Sequence, residues 1–170
     1  MSLVSPADQQ KLREAFAEMT RPVRLVFFTQ TLECETCLQT KQILDELPPL
    51  SDKIAIEEVN LILDGDRARQ YGIDRVPAVA IEYLNHQGAQ GSEGAPGHLV
   101  HPVHSEHPDG GVWTDSRMRF LGAPAGYEFI SLVQAVLLAG GRPSTLSEHS
   151  RRHIEAVDRP VVMNVFTTPT

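Results

Sequence analysis

The sequence is short of several features that would assign a protein to a class. It holds only two cysteines among 170 residues, too few for the disulfide framework of a small secreted protein. No apolar run approaches the length that crosses a membrane. Residues 1–8 lack a basic stretch followed by an apolar one, so no secretory signal is visible. We therefore expect a cytoplasmic protein, in which a disulfide that does form is typically transient and catalytic.

Positive charge is also scarce. Lys and Arg together number 15 against 22 Asp and Glu, which gives a formal net charge of −7. This balance argues against nucleic acid and against an anionic membrane as partners. The hydrophobic content of 41% and the charged content of 22% are ordinary for a soluble globular protein. A chain of this length can bury one good core.

The two cysteines stand three residues apart, in the stretch from Val23 to Leu47. An apolar segment comes first, a short polar turn follows, and then the sequence reads Cys34-Glu-Thr-Cys37. A helical pattern continues to Pro48-Pro49. We expect the first helical turn to carry both cysteines, which aims the sulfur of Cys34 at free backbone N–H groups and at the positive end of the helix dipole. That environment lowers a thiol pKa and favours the nucleophilic thiolate.

The remaining pattern predicts an alternation of strands and helices. Ser5 and Pro6 open an amphipathic helix, with Ser5 as its cap. The order after it is β-α-β-α-β-β-α, with the last two strands forming a hairpin. The predicted elements beyond the cysteines are strands at 54–60, 76–81 and 117–121, and helices at 67–71 and 126–140.

Three motifs together resemble the protein disulfide oxidoreductases, a glutaredoxin-like family of tandem thioredoxin folds found in archaea and bacteria. The motifs are Cys34-Glu-Thr-Cys37, Tyr71-Gly-Ile73 followed by Val76-Pro77, and the run from Arg119 to Phe129. The resemblance implies an α/β thioredoxin-like fold, with a central mixed four-stranded sheet, flanking helices and an extra N-terminal helix. It also implies a cis Pro77 that faces the cysteines, with the backbone of Val76 pairing with a bound substrate peptide.

The chain departs from classical thioredoxins at two places. The first strand carries apolar residues around Phe28 where those proteins have a buried acid, so no proton shuttle is assigned. Glu33 stands where they have a Trp before the motif. Glu33 and Glu35 disfavour a thiolate at Cys34 and partly offset the helix dipole. We therefore expect a comparatively reducing dithiol.

A segment rich in Gly, Pro, Ser and His, roughly residues 85–116, separates the two hairpin strands, which ordinarily need only a few residues between them. Four histidines follow one another at three-residue intervals: His98, His101, His104 and His107. An extended polyproline-type segment would place their imidazoles on one side, an arrangement that suits zinc, nickel or copper. The alternative is a flexible loop that merely carries histidines, and no cysteine or carboxylate set completes a metal site.

An internal repeat divides the chain into residues 1–141 and residues 142–170. Arg21-Pro-Val at the start of the first strand recurs as Arg159-Pro-Val, and both copies end in Phe-Thr after an amphipathic helix. Residues 1–141 are predicted to form the redox domain, and 142–170 a linker helix and the first strand of a truncated second unit. Such a segment docks on the first unit, stays loosely ordered, or pairs in trans to give a homodimer. A C-terminal strand that resembles the first only by composition is the alternative.

The leading functional hypothesis is a thiol–disulfide oxidoreductase that reduces, forms or exchanges protein disulfides through Cys34 and Cys37. It needs no organic cofactor, because the dithiol carries two electrons. Its expected partners are disulfide-containing proteins and, by resemblance, a thioredoxin-reductase-like flavoprotein as electron donor. The alternatives are an electron-relay domain that serves a peroxiredoxin, a redox-silent module that binds extended peptides, and metal storage or sensing through the histidines.

Overall fold

The computed structural model describes residues 4–86 and 110–167. The helices and strands, in chain order, are α1 (Pro6–Ala17), β1 (Val23–Thr29), α2 (Cys37–Asp45), β2 (Ile54–Asn60), α3 (Gly65–Gln70), β3 (Ala78–Asn85), β4 (Val112–Leu121), α4 (Tyr127–Ala139) and α5 (Glu148–Glu155). A short 3₁₀ turn, Pro48–Leu50, follows α2. No helix in the described part of the chain is both long enough and apolar enough to cross a membrane.

The four strands form one mixed sheet in the order β2-β1-β3-β4. β1 and β2 run parallel, joined through α2, whereas β1–β3 and β3–β4 are antiparallel. The parallel pair requires a crossover connection, and the helix pattern after the cysteines supplies it. This is the predicted thioredoxin-like fold, and the sheet order confirms the mixed four-stranded arrangement.

The sheet has a large core on one face and a small core on the other. Val23, Leu25 and Phe27 of β1 point into the large core, where α1, α2 and α4 pack. Val26 and Phe28 point into the small core, which α3 and the turn after it cover. Because side chains alternate along a strand and β1 lies in the middle of the sheet, a nearly continuous apolar run serves both cores at once.

The start of α1 agrees with the prediction in detail. The hydroxyl oxygen of Ser5 accepts a hydrogen bond from the backbone N–H of Asp8 at 3.2 Å, and Pro6 occupies the first helical turn. Phe16 and Met19, at the end of α1 and just after it, are fully buried in the large core. The predicted cap and the predicted amphipathic character of this helix are therefore confirmed.

The hairpin of β3 and β4 is longer than predicted, so the boundaries 85–116 of the insertion are wrong. Asn85 pairs with Val112 and Leu84 with Trp113, which places both ends of the predicted insertion inside the sheet. Trp113 is buried, and the Arg24 guanidinium lies 4.6 Å from the centre of its ring. The hairpin extends because these side chains continue to pack against the sheet.

A bulge in β4 explains why the sequence pattern concealed half of that strand. Glu82 pairs with Asp115, and Ala80 pairs with Arg119. One residue of β3, Ile81, therefore lies opposite three residues of β4, 116–118. Arg117 adopts φ 63°, in the left-handed region, and the Ser116 hydroxyl donates to the Ile81 carbonyl at 2.6 Å. The extra residues break the two-residue alternation on which strand assignment depends.

The C-terminal part differs from the rest of the chain. α5 buries none of its side chains, and residues 159–167 form no strand with any described residue. The hydroxyl of Thr167 donates to the Glu128 carboxylate on α4. The apolar side chains of this segment are largely exposed: Val161, Val162, Met163, Val165 and Phe166.

Candidate redox site

The two cysteines lie between the end of β1 and the start of α2 and are joined as a disulfide. Their Cα atoms stand 5.4 Å apart, within the usual range for such a bond. Cys37 is only 5% exposed and belongs to the large core, whereas Cys34 is partly exposed at the edge of that core. The pair is therefore asymmetric, with one cysteine in the protein interior and the other partly exposed to solvent.

The helix that follows begins three residues later than predicted. α2 starts at Cys37, with Thr36 as its N-cap residue, so Cys34 precedes the helix and does not lie in its first turn. The first helical hydrogen bond runs from the Thr40 N–H to the Thr36 carbonyl at 2.9 Å. Glu33 adopts φ 58°, in the left-handed region, so the backbone directly before Cys34 is not helical. Turn geometry at Glu33 to Thr36 therefore delays the helix.

Cys34 nevertheless keeps a position at the positive end of α2. The Thr36 side chain makes no capping hydrogen bond, so it does not occupy the N–H groups of the first turn. A helix end of this kind attracts negative charge, including that of a thiolate on the adjacent Cys34. The predicted place of Cys34 in the first turn is therefore wrong, but Cys34 still lies close in sequence to the N-terminal end of α2.

Val76 and Pro77 come immediately before β3 and are joined by a cis peptide bond, as the resemblance implied. Ala78, the next residue, pairs with Phe28 near the end of β1, from which the chain continues to Cys34. The Pro77 carbonyl accepts from the Gly122 N–H at 2.8 Å, which fixes it against the end of β4. The sheet register thus brings the cis proline and the disulfide to the same end of the sheet.

A buried charged cluster lies on the small-core face, and the sequence reasoning missed it. Glu82 of β3 is fully buried and pairs with Arg24 of β1 at 2.5 Å, and it also accepts a hydrogen bond from the Tyr71 hydroxyl. Arg24 also reaches Glu57 at 3.1 Å. The available signal was a single charged residue within each of two otherwise apolar strands, since a buried acid needs a buried cation.

Tyr71 is the hydrogen-bonding centre of this cluster. Burial raises its pKa, and the hydrogen bond to Glu82 with the negative charge of that carboxylate raises it further. Its backbone carbonyl accepts from Arg119 at 3.1 Å, and its ring lies 5.3 Å from that of Phe28. Tyr71 therefore does more than pack against Phe28, because its hydroxyl also donates a hydrogen bond to a buried carboxylate.

The buried acid is not beside the cysteines. Glu82 pairs with Arg24, five residues before the end of β1 at Thr29. At about 3.3 Å per strand residue, Arg24 lies roughly 16 Å from Thr29. β1 thus lacks the buried acid of classical thioredoxins, and the buried acid of this chain is Glu82 on β3. Glu82 lies too far from Cys34 for direct proton exchange.

The four candidate metal ligands, His98, His101, His104 and His107, lie outside the described residues. Among residues 4–86 and 110–167, no group of three or more metal-ligating side chains is present. The metal hypothesis therefore stays a prediction that concerns the histidine segment alone.

No protein-family model matches this sequence, and neither does any curated protein sequence. Solved structures do match its fold. The alkylhydroperoxide reductase AhpF of Enterococcus faecalis, as a C503A mutant, is 24% identical with a TM-score of 0.65, and the match covers 90% of this chain and 60% of that one. A structure of the NTD_N/C domain of the same protein is 23% identical, with a TM-score of 0.66 and coverage of 89% and 59%.

A protein disulfide oxidoreductase from Aeropyrum pernix K1 is 22% identical, with a TM-score of 0.61. That match covers 89% of this chain and 54% of the archaeal one. The chain thus spans less than two thirds of the length of each of these structures. At such identities the similarity establishes the thioredoxin-like fold.

Proposed function

We propose that this protein is a thiol–disulfide oxidoreductase in which Cys34 attacks and Cys37 resolves. The observation that carries the proposal is the asymmetric disulfide at the start of α2: Cys37 is buried, Cys34 is partly exposed, and the cis Val76–Pro77 bond lies at the same end of the sheet. A structural disulfide has no need of one sulfur open to solvent, whereas attack on a substrate disulfide requires it.

The catalytic cycle starts from the reduced dithiol, which a donor produces by transferring two electrons and two protons to the disulfide of the structure. The Cys34 thiolate then attacks one sulfur of a substrate disulfide. A bond forms between Cys34 Sγ and that sulfur, the substrate S–S bond breaks, and the other substrate sulfur leaves as a thiolate that takes up a proton.

Cys37 completes the exchange. Having lost its proton, its sulfur attacks Cys34 Sγ, re-forms the Cys34–Cys37 disulfide and expels the second substrate thiolate. In total, one protein dithiol becomes a disulfide and one substrate disulfide becomes two thiols. The Cα separation of 5.4 Å lets the second step proceed without large backbone movement. The reverse sequence oxidises thiols.

The backbone of Val76 is the proposed binding element for an extended substrate. Val76 is partly exposed and makes no backbone hydrogen bond to any residue that the structure describes. Its N–H and carbonyl are therefore free to pair with a peptide strand laid across the cysteines. Pro77 lies between Val76 and the first residue of β3 and holds Val76 in place.

Disulfide-containing proteins are the proposed substrates, and a thioredoxin-reductase-like flavoprotein is the proposed electron donor. The second candidate is an electron-relay domain that passes electrons to a peroxiredoxin. It is favoured by the overlap of 90% of this chain with the alkylhydroperoxide reductase AhpF. The oxidoreductase and the electron relay use the same two cysteines and differ only in the molecule that accepts the electrons. Because both require electron transfer through these cysteines, both differ from a redox-silent peptide-binding module.

The test is insulin reduction by Cys34→Ser and Cys37→Ser, with dithiothreitol as donor. We expect the wild type to reduce insulin and Cys34→Ser to be inactive. Reduced Cys37→Ser, freed of dithiothreitol before it is mixed with insulin, should accumulate a mixed disulfide through Cys34, detectable by non-reducing electrophoresis and mass spectrometry. Ser150→Ala, on the exposed helix α5, serves as a control that should keep full activity.

Retention of activity by Cys34→Ser, or trapping of substrate on Cys37 in place of Cys34, would overturn the assignment. If the reduced wild type neither reduces insulin nor equilibrates with glutathione, the module is redox-silent. Transfer to a peroxiredoxin that greatly exceeds transfer to insulin would favour the relay.

A further inference from the structure

We propose that the surface around Cys34 selects disulfides held in positively charged, apolar segments of substrate proteins. The proposal rests on the oxidoreductase function above and names its substrate class. Two features carry it: an acidic pair on either side of Cys34, and an apolar rim formed by exposed side chains of two adjacent loops.

The acidic pair is Glu33 and Glu35, the immediate neighbours of the attacking cysteine. Both side chains are exposed, and neither forms an ion pair with any described residue. Two cations on the elements next to the redox loop are already paired. Arg75, in the loop before Val76, donates twice to Asp74, and Lys41 of α2 pairs with Glu58 at 2.5 Å. The two carboxylates therefore place negative charge on the surface at both sides of Cys34, and a substrate that brings positive charge there is attracted to them.

The apolar rim consists of Leu32 in the redox loop with Ile62 and Leu63 after β2. These side chains are 74%, 72% and 82% exposed. The Leu61 N–H donates to the Thr29 carbonyl at 2.9 Å, which holds the second loop beside the start of the first. Such exposure of neighbouring large aliphatic side chains marks an interaction surface.

The two features together favour a protein segment over a small thiol. Oxidised glutathione, a disulfide of two tripeptides, has no aliphatic side chains that could pack against the rim. The acidic pair also repels its carboxylates. A polypeptide with Lys or Arg beside its disulfide and aliphatic residues further along satisfies both features. Its backbone is also available for the free N–H and carbonyl of Val76.

The experiment uses reduced full-length protein, freed of dithiothreitol, in single-turnover reactions with three synthetic peptides. The peptides share one sequence around an intramolecular disulfide and differ only in the residues flanking it, which are Lys, Gln or Glu. We expect the Lys peptide to react about tenfold faster than the Glu peptide at low salt, because Glu33 and Glu35 attract the Lys side chains and repel the Glu side chains. At 1 M salt, where the Debye length is about 3 Å, the ratio of the Lys-peptide rate to the Glu-peptide rate should fall to about twofold.

Two variants separate charge from apolar contact. Glu33→Gln with Glu35→Gln should bring the three peptides to nearly equal rates, whereas Leu32→Ser with Leu63→Ser should slow all three alike. Glu155→Gln with Asp158→Asn removes the same charge from exposed positions near the C-terminus and should leave the selectivity intact.

Equal rates for the three peptides with wild-type protein would overturn the proposal while leaving the oxidoreductase function standing. Selectivity that persists in the Glu33/Glu35 double variant would overturn the role of the acidic pair. Failure to reduce any of the peptides or insulin would count against the oxidoreductase function itself.

Discussion

Two segments of this molecule share a sequence pattern and have opposite structural fates. Residues 21–29 and 159–167 both open with Arg-Pro-Val and close with Phe-Thr. The first contains β1, which pairs with β2 on one side and β3 on the other. The second forms no strand with any described residue. Phe28 of the first copy is fully buried, whereas Phe166, at the matching place, is 93% exposed.

The difference extends to the helices that precede the two segments. α1 leads to Phe16 and Met19, both buried in the large core. At the matching places within and after α5, Ile154 and Val157 are more than half exposed. An apolar, strand-like sequence therefore needs partner strands and a covering helix before it forms a strand. That residues 142–170 begin a second thioredoxin-like unit stays a prediction.

The largest expected contrast is between Phe28→Ala and Phe166→Ala. Phe28→Ala leaves a cavity between β1 and the ring of Tyr71 and should lower the free energy of unfolding by about 3–5 kcal/mol. Phe166→Ala removes an exposed ring and should change it by less than about 0.5 kcal/mol. Urea unfolding followed by circular dichroism measures both. A comparable loss in the two variants would show that the second copy is buried in solution.

The next contrast exchanges residues between the copies. Position 24 is Arg in the first copy, and the matching position 162 is Val. Arg24→Val strips the fully buried Glu82 of its cation, which should lower the free energy of unfolding by about 3 kcal/mol. Val162→Arg places a charge on an exposed position and should have almost no effect. If Arg24→Val proves neutral, the buried ion pair contributes nothing to the first copy's stability.

Tyr71→Phe tests the same cluster from its other end. The substitution removes the hydroxyl that donates to Glu82, leaving one side of a buried carboxylate unsatisfied. The free energy of unfolding should fall by about 1–3 kcal/mol at neutral pH. Tyr127→Phe, on an 80% exposed side chain of α4, is the matched control and should be neutral.

Tyr71 also predicts a pH dependence. Burial raises the Tyr71 pKa in the folded protein, whereas in the unfolded chain it titrates near its ordinary value of about 10. The unfolded state therefore loses this proton first, and stability falls as pH rises above about 10, by up to about 1.4 kcal/mol per pH unit. Tyr71→Phe should remove this part of the alkaline decline, and Tyr127→Phe should retain it. An unchanged alkaline slope in Tyr71→Phe would contradict the raised pKa.

The smallest contrast concerns the two helix caps. Ser5 accepts from the Asp8 N–H at 3.2 Å, and Ser147 accepts from the Ser150 N–H at 3.1 Å. Ser5→Ala should lower the free energy of unfolding by about 1 kcal/mol, since α1 packs into the large core. Ser147→Ala should fray α5 without shifting global unfolding, because that helix buries nothing. Calorimetry of the two variants makes the comparison.

The order of elements and the cysteine pair could be predicted because each depends on local pattern. β1 is a nearly continuous apolar run, and Ser5-Pro6 marks the start of α1. The extent of β4 could not be predicted, because the bulge opposite Ile81 shifts the alternation of its side chains. The start of α2 was placed three residues early, because the sequence pattern does not reveal the left-handed backbone at Glu33.

The pairing of Arg24 with Glu82 could not be predicted for a different reason. Arg24 and Glu82 stand 58 residues apart in sequence, and only the antiparallel register of β1 and β3 places them side by side. The exposure of 159–167 was likewise undetermined, since docking, pairing in trans and loose order were all consistent with the pattern. Pairing across the sheet is a property of the whole fold, which neither segment specifies alone.

The most direct test of the account is the relative reactivity of the two thiols. Fully reduced protein is alkylated with limiting iodoacetamide at neutral pH, and each cysteine is quantified by mass spectrometry of peptides. We expect Cys34, partly exposed at the positive end of α2, to be modified much faster than Cys37, which is 5% exposed. Equal rates, or faster modification of Cys37, would contradict it.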